Sequence, residues 1–76
     1  MSDQWRLVGK NGQIVPLFYG DMQHLLNFYA TIDKNSCANL QNWYESLTLP
    51  QILTMRPDPD HAIHETPTYE LYFLGI

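Results

Sequence analysis

The sequence points to an α+β fold of two layers: a three-stranded antiparallel sheet made by an N-terminal hairpin and a C-terminal strand, with an αα-hairpin packed on one face, in the order β-β-α-α-β. Three features lead there. An Asn-Gly pair separates two apolar stretches near the start, two segments of helical period flank a short polar turn, and an aromatic-rich alternating stretch ends the chain.

The hairpin centres on Lys10-Asn11-Gly12-Gln13. Asn-Gly suits a two-residue type I′ turn, because both central residues need positive φ. That turn sets Val8 opposite Val15, Leu7 opposite Pro16 and Trp5 opposite Phe18. One face then carries Trp5, Leu7, Ile14, Pro16 and Phe18, and the other carries Arg6, Val8, Val15 and Leu17. Pro16 has no N–H to donate, so the second strand reads as an edge there.

Asp21 to Ile32 is the clearest amphipathic helix. Met22, Leu25, Leu26, Phe28, Tyr29 and Ile32 fall within roughly 160° of arc, with Gln23, His24, Asn27 and Thr31 opposite. Asp21 stands at the N-cap, its carboxylate able to accept the N–H groups two and three residues on. A helix of about twelve residues is marginal alone, so its apolar face must pack. Asp33-Lys34-Asn35-Ser36 is a turn from which Ser36 or Asn35 can cap a second helix running to about Thr48, with Cys37, Leu40, Trp43, Tyr44 and Leu47 within about 120°. Pro50 ends it.

Leu49 to Met55 reads as a short helical turn in preference to a strand, and Pro57-Asp58-Pro59-Asp60 opens a loop that runs to Pro67. Thr68 to Ile76 is the closing strand, with Leu71 and Phe73 on one face and Glu70, Tyr72 and Leu74 on the other. The expected core joins Trp5, Leu7, Ile14, Phe18, Leu71 and Phe73 to Met22, Leu25, Leu26, Tyr29, Leu40, Trp43 and Leu47.

At 76 residues the chain makes one domain, and the 45% hydrophobic content excludes disorder. A single cysteine, Cys37, allows neither an intrachain disulfide nor a thiolate zinc cage from one copy. That favours a reducing compartment, and the cytoplasm is expected, since Met1 to Gln4 lacks a basic and apolar leader pattern and no eighteen apolar residues run together. The net charge is −4, with Arg6, Lys10, Lys34 and Arg56 scattered along the chain. Direct binding to nucleic acid or membrane is therefore not expected, whereas a basic protein surface suits the charge.

Candidate chemistry is sparse. His61 and His64, with Asp58 and Asp60, form the densest group of potential divalent-metal ligands, but the order His-x-x-His-Glu among prolines matches no helical zinc motif. Cys37 faces the apolar side of its helix and reads as structural, Ser36 reads as a cap, and His24 reads as solvated. Glycines are scattered, without a phosphate-binding pattern. Neither an enzyme nor a cofactor is expected.

A surplus of apolar residues is more informative. Val8, Val15, Leu17, Tyr72 and Leu74 fall on the sheet face away from the helices. Together with Asp58, Asp60 and Glu65 they suggest a partner-binding surface, for another protein or a second copy of the chain, unless the stretch from Pro50 to Pro67 covers it. The expected function is a small acidic non-catalytic protein-binding module, an inhibitor or adaptor of the kind found among accessory proteins of phages and mobile elements. The alternatives are a divalent-metal protein using His61, His64, Asp58 and Asp60, and an acidic mimic of nucleic acid.

Overall fold

Alternation and helical period settle into a four-stranded antiparallel sheet with two helices over one face. The computed structural model describes residues 3–10, 18–48, 51 and 54–75, and the backbone alone for Phe18 and Tyr19. The elements are β1 (Gln4–Gly9), β2 (Phe18–Gly20), α1 (Met22–Ala30), α2 (Lys34–Glu45), β3 (His64–Glu65) and β4 (Tyr69–Gly75). The sheet order is β2-β1-β4-β3. The three expected strands are thus present with β1 in the middle of them, and the two-residue β3 is added outside β4, within the stretch read as continuous loop.

The hairpin register differs from that of a two-residue turn at Asn11-Gly12. Trp5 lies opposite Gly20 and Leu7 opposite Phe18, so the pairing has slipped by two residues. A slip of two keeps each side chain on its own face, which is why alternation could not exclude it. The turn itself, with Ile14, Val15, Pro16 and Leu17, lies outside the described residues. β1 and β4 pair along their length, Trp5 with Phe73, Leu7 with Leu71 and Gly9 with Tyr69, with an irregularity between Gln4 and Trp5. This register sends residues 5, 7, 69, 71 and 73 to the helix side.

Asp21 caps α1 as expected, accepting the His24 N–H at 2.8 Å. α2 starts earlier than the turn cluster suggests. Asp33 is its N-cap, accepting the Ser36 N–H at 3.1 Å and the Ser36 hydroxyl at 2.9 Å, so Ser36 is buried in the first turn and is not the cap. Aspartate is the stronger competitor because a single carboxylate satisfies both groups and also faces the positive end of the helix dipole. The helix ends at Glu45. Further on, Gln51 and Thr54 are helical, and the Gln51 Oε1 accepts the Thr48 N–H at 2.8 Å and its hydroxyl at 3.0 Å. Pro50, Ile52 and Leu53 lie outside the described residues.

The core unites Trp5 and Leu7 of β1, Tyr69, Leu71 and Phe73 of β4, Met22, Leu25 and Tyr29 of α1, and Cys37 and Leu40 of α2. Leu26, Trp43, Tyr44 and Met55 pack at its margin. Trp5 is its hub, tilted on Phe73 at 4.8 Å and edge-on to Trp43 and Tyr44 at 6.3 and 6.0 Å between ring centroids. Its indole N–H donates to the Asp3 carboxylate. Ile32, assigned to the apolar face of the first helix, instead lies beyond the end of α1 and is 38% exposed.

Candidate protein-contact face of the sheet

Residues 6, 8, 70, 72 and 74 project from β1 and β4 away from the helices, by strict alternation with the buried set. Val8, Tyr72 and Leu74 are half-buried there. The same face is crossed by polar contacts that the apolar reading did not include. Arg6, directly opposite Tyr72, lays its guanidinium 4.2 Å from the tyrosine ring centroid and donates from Nη2 to the carbonyl of Pro59 at 2.6 Å. The Tyr72 hydroxyl donates to Glu70 at 3.0 Å, and this bond raises the phenol pKa. Lys10 pairs with Glu65 at 2.9 Å beside them. Arg6 joins this face, although it is not among the expected partner-binding residues. Its signal was available, since alternation already put it on the face of Val8. Val15 and Leu17 lie outside the described residues.

The stretch 58–66 does not fold across this face. It runs along the free edge of β4, where the N–H groups of Asp58, Ile63 and Thr66 donate to the carbonyls of Phe73, Leu71 and Tyr69 at 2.9, 2.8 and 2.9 Å. β3 is the regular part of this strap, with His64 opposite Leu71 and Glu65 opposite Glu70. Upstream, Met55 packs on the helix side and Pro57 lies beside Gly75, where an added Cβ would come within 3.6 Å of its ring. Among the described residues, therefore, the segment that could have covered the outer face lies elsewhere.

The four weighed metal ligands separate. Asp58 closes a local turn, its Oδ1 accepting the N–H groups of Asp60 and His61 at 2.9 and 3.2 Å and its Oδ2 lying 3.0 Å from His61 Nδ1. These bonds, the one from the Asp60 N–H foremost, hold the Asp58 carboxyl below its usual pKa. Asp60 is exposed on the same turn. His64 faces the other way, stacked on Trp43 with centroids 4.5 Å apart and planes 9° apart. Among the described residues no three His, Cys, Asp or Glu side chains are gathered as metal ligands. Cys37 is buried and donates to the Leu26 carbonyl at 3.2 Å, and burial raises its pKa, which suits a structural thiol and not a nucleophile.

Six of the eight carboxylates have internal roles. Asp3 accepts from Trp5, Asp21 and Asp33 cap helices, Asp58 closes its turn, Glu65 pairs with Lys10 and Glu70 accepts from Tyr72. Only Asp60 and Glu45 are left without such a role among the described residues, which makes a phosphate-like array hard to build.

Behind the sheet lies a chain of hydroxyls. Ser36 contacts Thr68 at 3.1 Å and Thr68 contacts Thr66 at 3.2 Å, and Tyr29 faces Ser36 and Thr68 without a formed hydrogen bond. The Tyr69 hydroxyl is buried with no partner, and burial, with Tyr29 and Cys37 nearby, drives its pKa far upward. Among the described residues no helix is long and apolar enough to cross a membrane. No family model, no curated protein and no solved structure matches the chain.

Proposed function

We propose that this chain is a small non-catalytic protein-binding module that acts as an inhibitor or adaptor by docking on a larger protein. The observation that carries the reading is the outer face of β1 and β4: Val8, Tyr72 and Leu74 lie half-buried on the side of the sheet away from the helices, with Arg6 over the Tyr72 ring and Lys10, Glu65 and Glu70 as a polar border. Apolar residues ringed by hydrogen-bonding groups are the usual composition of a protein contact, and arginine and tyrosine are the side chains most often dominant in one. The net charge of −4 suits a basic partner surface.

Affinity purification from the native cell identifies the partner, and surface variants then assign the face. Tyr72→Glu and Leu74→Glu are expected to abolish capture of that partner, while Asn39→Glu, exposed on α2, leaves it unchanged. Retention of full affinity by both face variants, with helix content intact, would show that the contact is elsewhere.

A further inference from the structure

The strap 58–66 is the least regular part of the sheet. It is held by three backbone bonds outside the regular ladder, by the two-residue β3, by the Lys10–Glu65 pair, by the Thr66 hydroxyl bonded to the N–H groups of Thr68 and Tyr69, by the Arg6 contact to Pro59 and by one aromatic anchor, the stack of His64 on Trp43. His64 is also 5.5 Å from the Tyr69 ring, and its Nε2 is buried without a hydrogen-bond partner among the described residues. The imidazole is therefore held as an aromatic surface, and no acceptor is in place for the second N–H of an imidazolium.

We propose that the His64–Trp43 stack is a proton-sensitive latch: protonation of His64 releases the strap from α2 and uncovers the β4 edge, exposing the carbonyls of Tyr69, Leu71 and Phe73. Facing His64, α2 presents Trp43 and β4 presents Tyr69, neither charged at neutral pH. Its neighbour Glu65 points to the opposite face and pairs with Lys10, and Asp58 and His61 pair with each other. Burial alone lowers the His64 pKa from the ordinary 6.5. Attraction between a cation and an indole opposes this, but it supplies no acceptor for the buried Nε2–H.

The sign follows from linkage. The closed strap holds neutral imidazole and the open strap holds an ordinary one, so opening is favoured as pH falls below 6.5 and is unaffected above it. This inference is independent of the outer-face reading, because it concerns the sheet edge.

Two measurements on the full chain test it. In amide exchange followed by NMR, protection of the Ile63 and Thr66 N–H groups is expected to fall about tenfold between about pH 7 and pH 5 in the wild type, and by far less in His64→Phe, which keeps the stack and cannot be protonated. His61→Gln should behave as the wild type. An equal fall in wild type and His64→Phe overturns the latch. If His64→Phe fails to fold, the wild-type His64 ring resonances decide: titration below 6.5 with coincident loss of Ile63 protection supports it, and titration at or above 6.5, or without that loss, overturns it.

Discussion

Tyr69→Phe should make the protein more stable. The ring is fully buried, edge-on to Tyr29 at 5.6 Å and tilted on His64 at 5.5 Å, and phenylalanine preserves both contacts and the cross-strand place opposite Gly9. The substitution removes only a hydroxyl that has no partner. Burying an unsatisfied hydroxyl costs roughly 1–3 kcal/mol, and the small space left by one oxygen returns part of that, so a gain of about 1 kcal/mol is expected. For a domain of this size that corresponds to a rise of about 4–8 °C in melting temperature. Tyr29→Phe is the comparator. Its hydroxyl faces those of Ser36 and Thr68, so its removal should bring less benefit or a small loss. Urea titration followed by tryptophan fluorescence, with thermal melts by circular dichroism, gives both numbers. A loss of about 1 kcal/mol or more in Tyr69→Phe would refute the reasoning, since it would mean that the hydroxyl makes a bond worth keeping.

Leu71→Ala, at a fully buried position of β4, should cost about 2–5 kcal/mol by chemical denaturation, whereas Leu74→Ala on the outer face should cost much less. Arg6→Ala should weaken protection of the Asp58 N–H in amide exchange, and a double-mutant cycle with Tyr72→Leu should give a coupling of roughly 0.5–1 kcal/mol. Asp33→Ala should lower the melting temperature more than Asp21→Ala: each holds two groups of the residue three on, but the Ser36 N–H and hydroxyl held by Asp33 are part-buried, whereas the His24 groups held by Asp21 are exposed. Asp21, Asp33 and Asp58 are each held below the ordinary 3.8 by backbone N–H groups, so their contribution is full above that value and is lost as pH falls through their lower folded-state values, which melts recorded down to pH 2 would reveal as a steep acid limb.

The helices were legible because period and cap agree. Met22, Leu25 and Tyr29 are buried as their spacing requires, and Asp21 lies one residue before them in the capping position. Cys37 and Leu40 were equally readable. The cap of α2 differs from the expected Ser36 or Asn35, because in Asp33-Lys34-Asn35-Ser36 the carboxylate stands three residues before a hydroxyl and an N–H that need an acceptor. Register was less accessible, since Trp5 opposite Phe18 and Trp5 opposite Gly20 leave identical faces. The strap was hidden by its prolines. Pro57, Pro59 and Pro67 spell a loop, and what seats the stretch on β4 is a set of backbone bonds from Asp58, Ile63 and Thr66 whose existence depends on a strand following in the chain. The outer face itself was visible from alternation in β4, but its polar border was not, because Lys10 and Glu65 meet across a separation of 55 residues.

The two sides of β4 carry different chemistry one residue apart. Its odd-numbered positions enter the core, where Tyr69 buries a hydroxyl without a partner and, across the strand pair, His64 buries a ring nitrogen in the same state. Its even-numbered positions, Glu70, Tyr72 and Leu74, face outward, where the polar groups are bonded to one another and the apolar ones lie in a patch. Unsatisfied polar groups weaken a small domain, and two of the four found among the described residues, the Tyr69 hydroxyl and His64 Nε2, lie beside the strap. On the outer face Arg6 Nε is also unpaired, but the guanidinium is anchored by a ring and a carbonyl, and Tyr72 by a carboxylate, so these side chains are held in place before any partner arrives. Preorganisation of that kind lowers the entropy cost of association, which suits the outer face to binding and leaves the strap as the part of the sheet that can move. Arg6 joins the two, because its bond to Pro59 makes opening of the strap release the guanidinium over Tyr72.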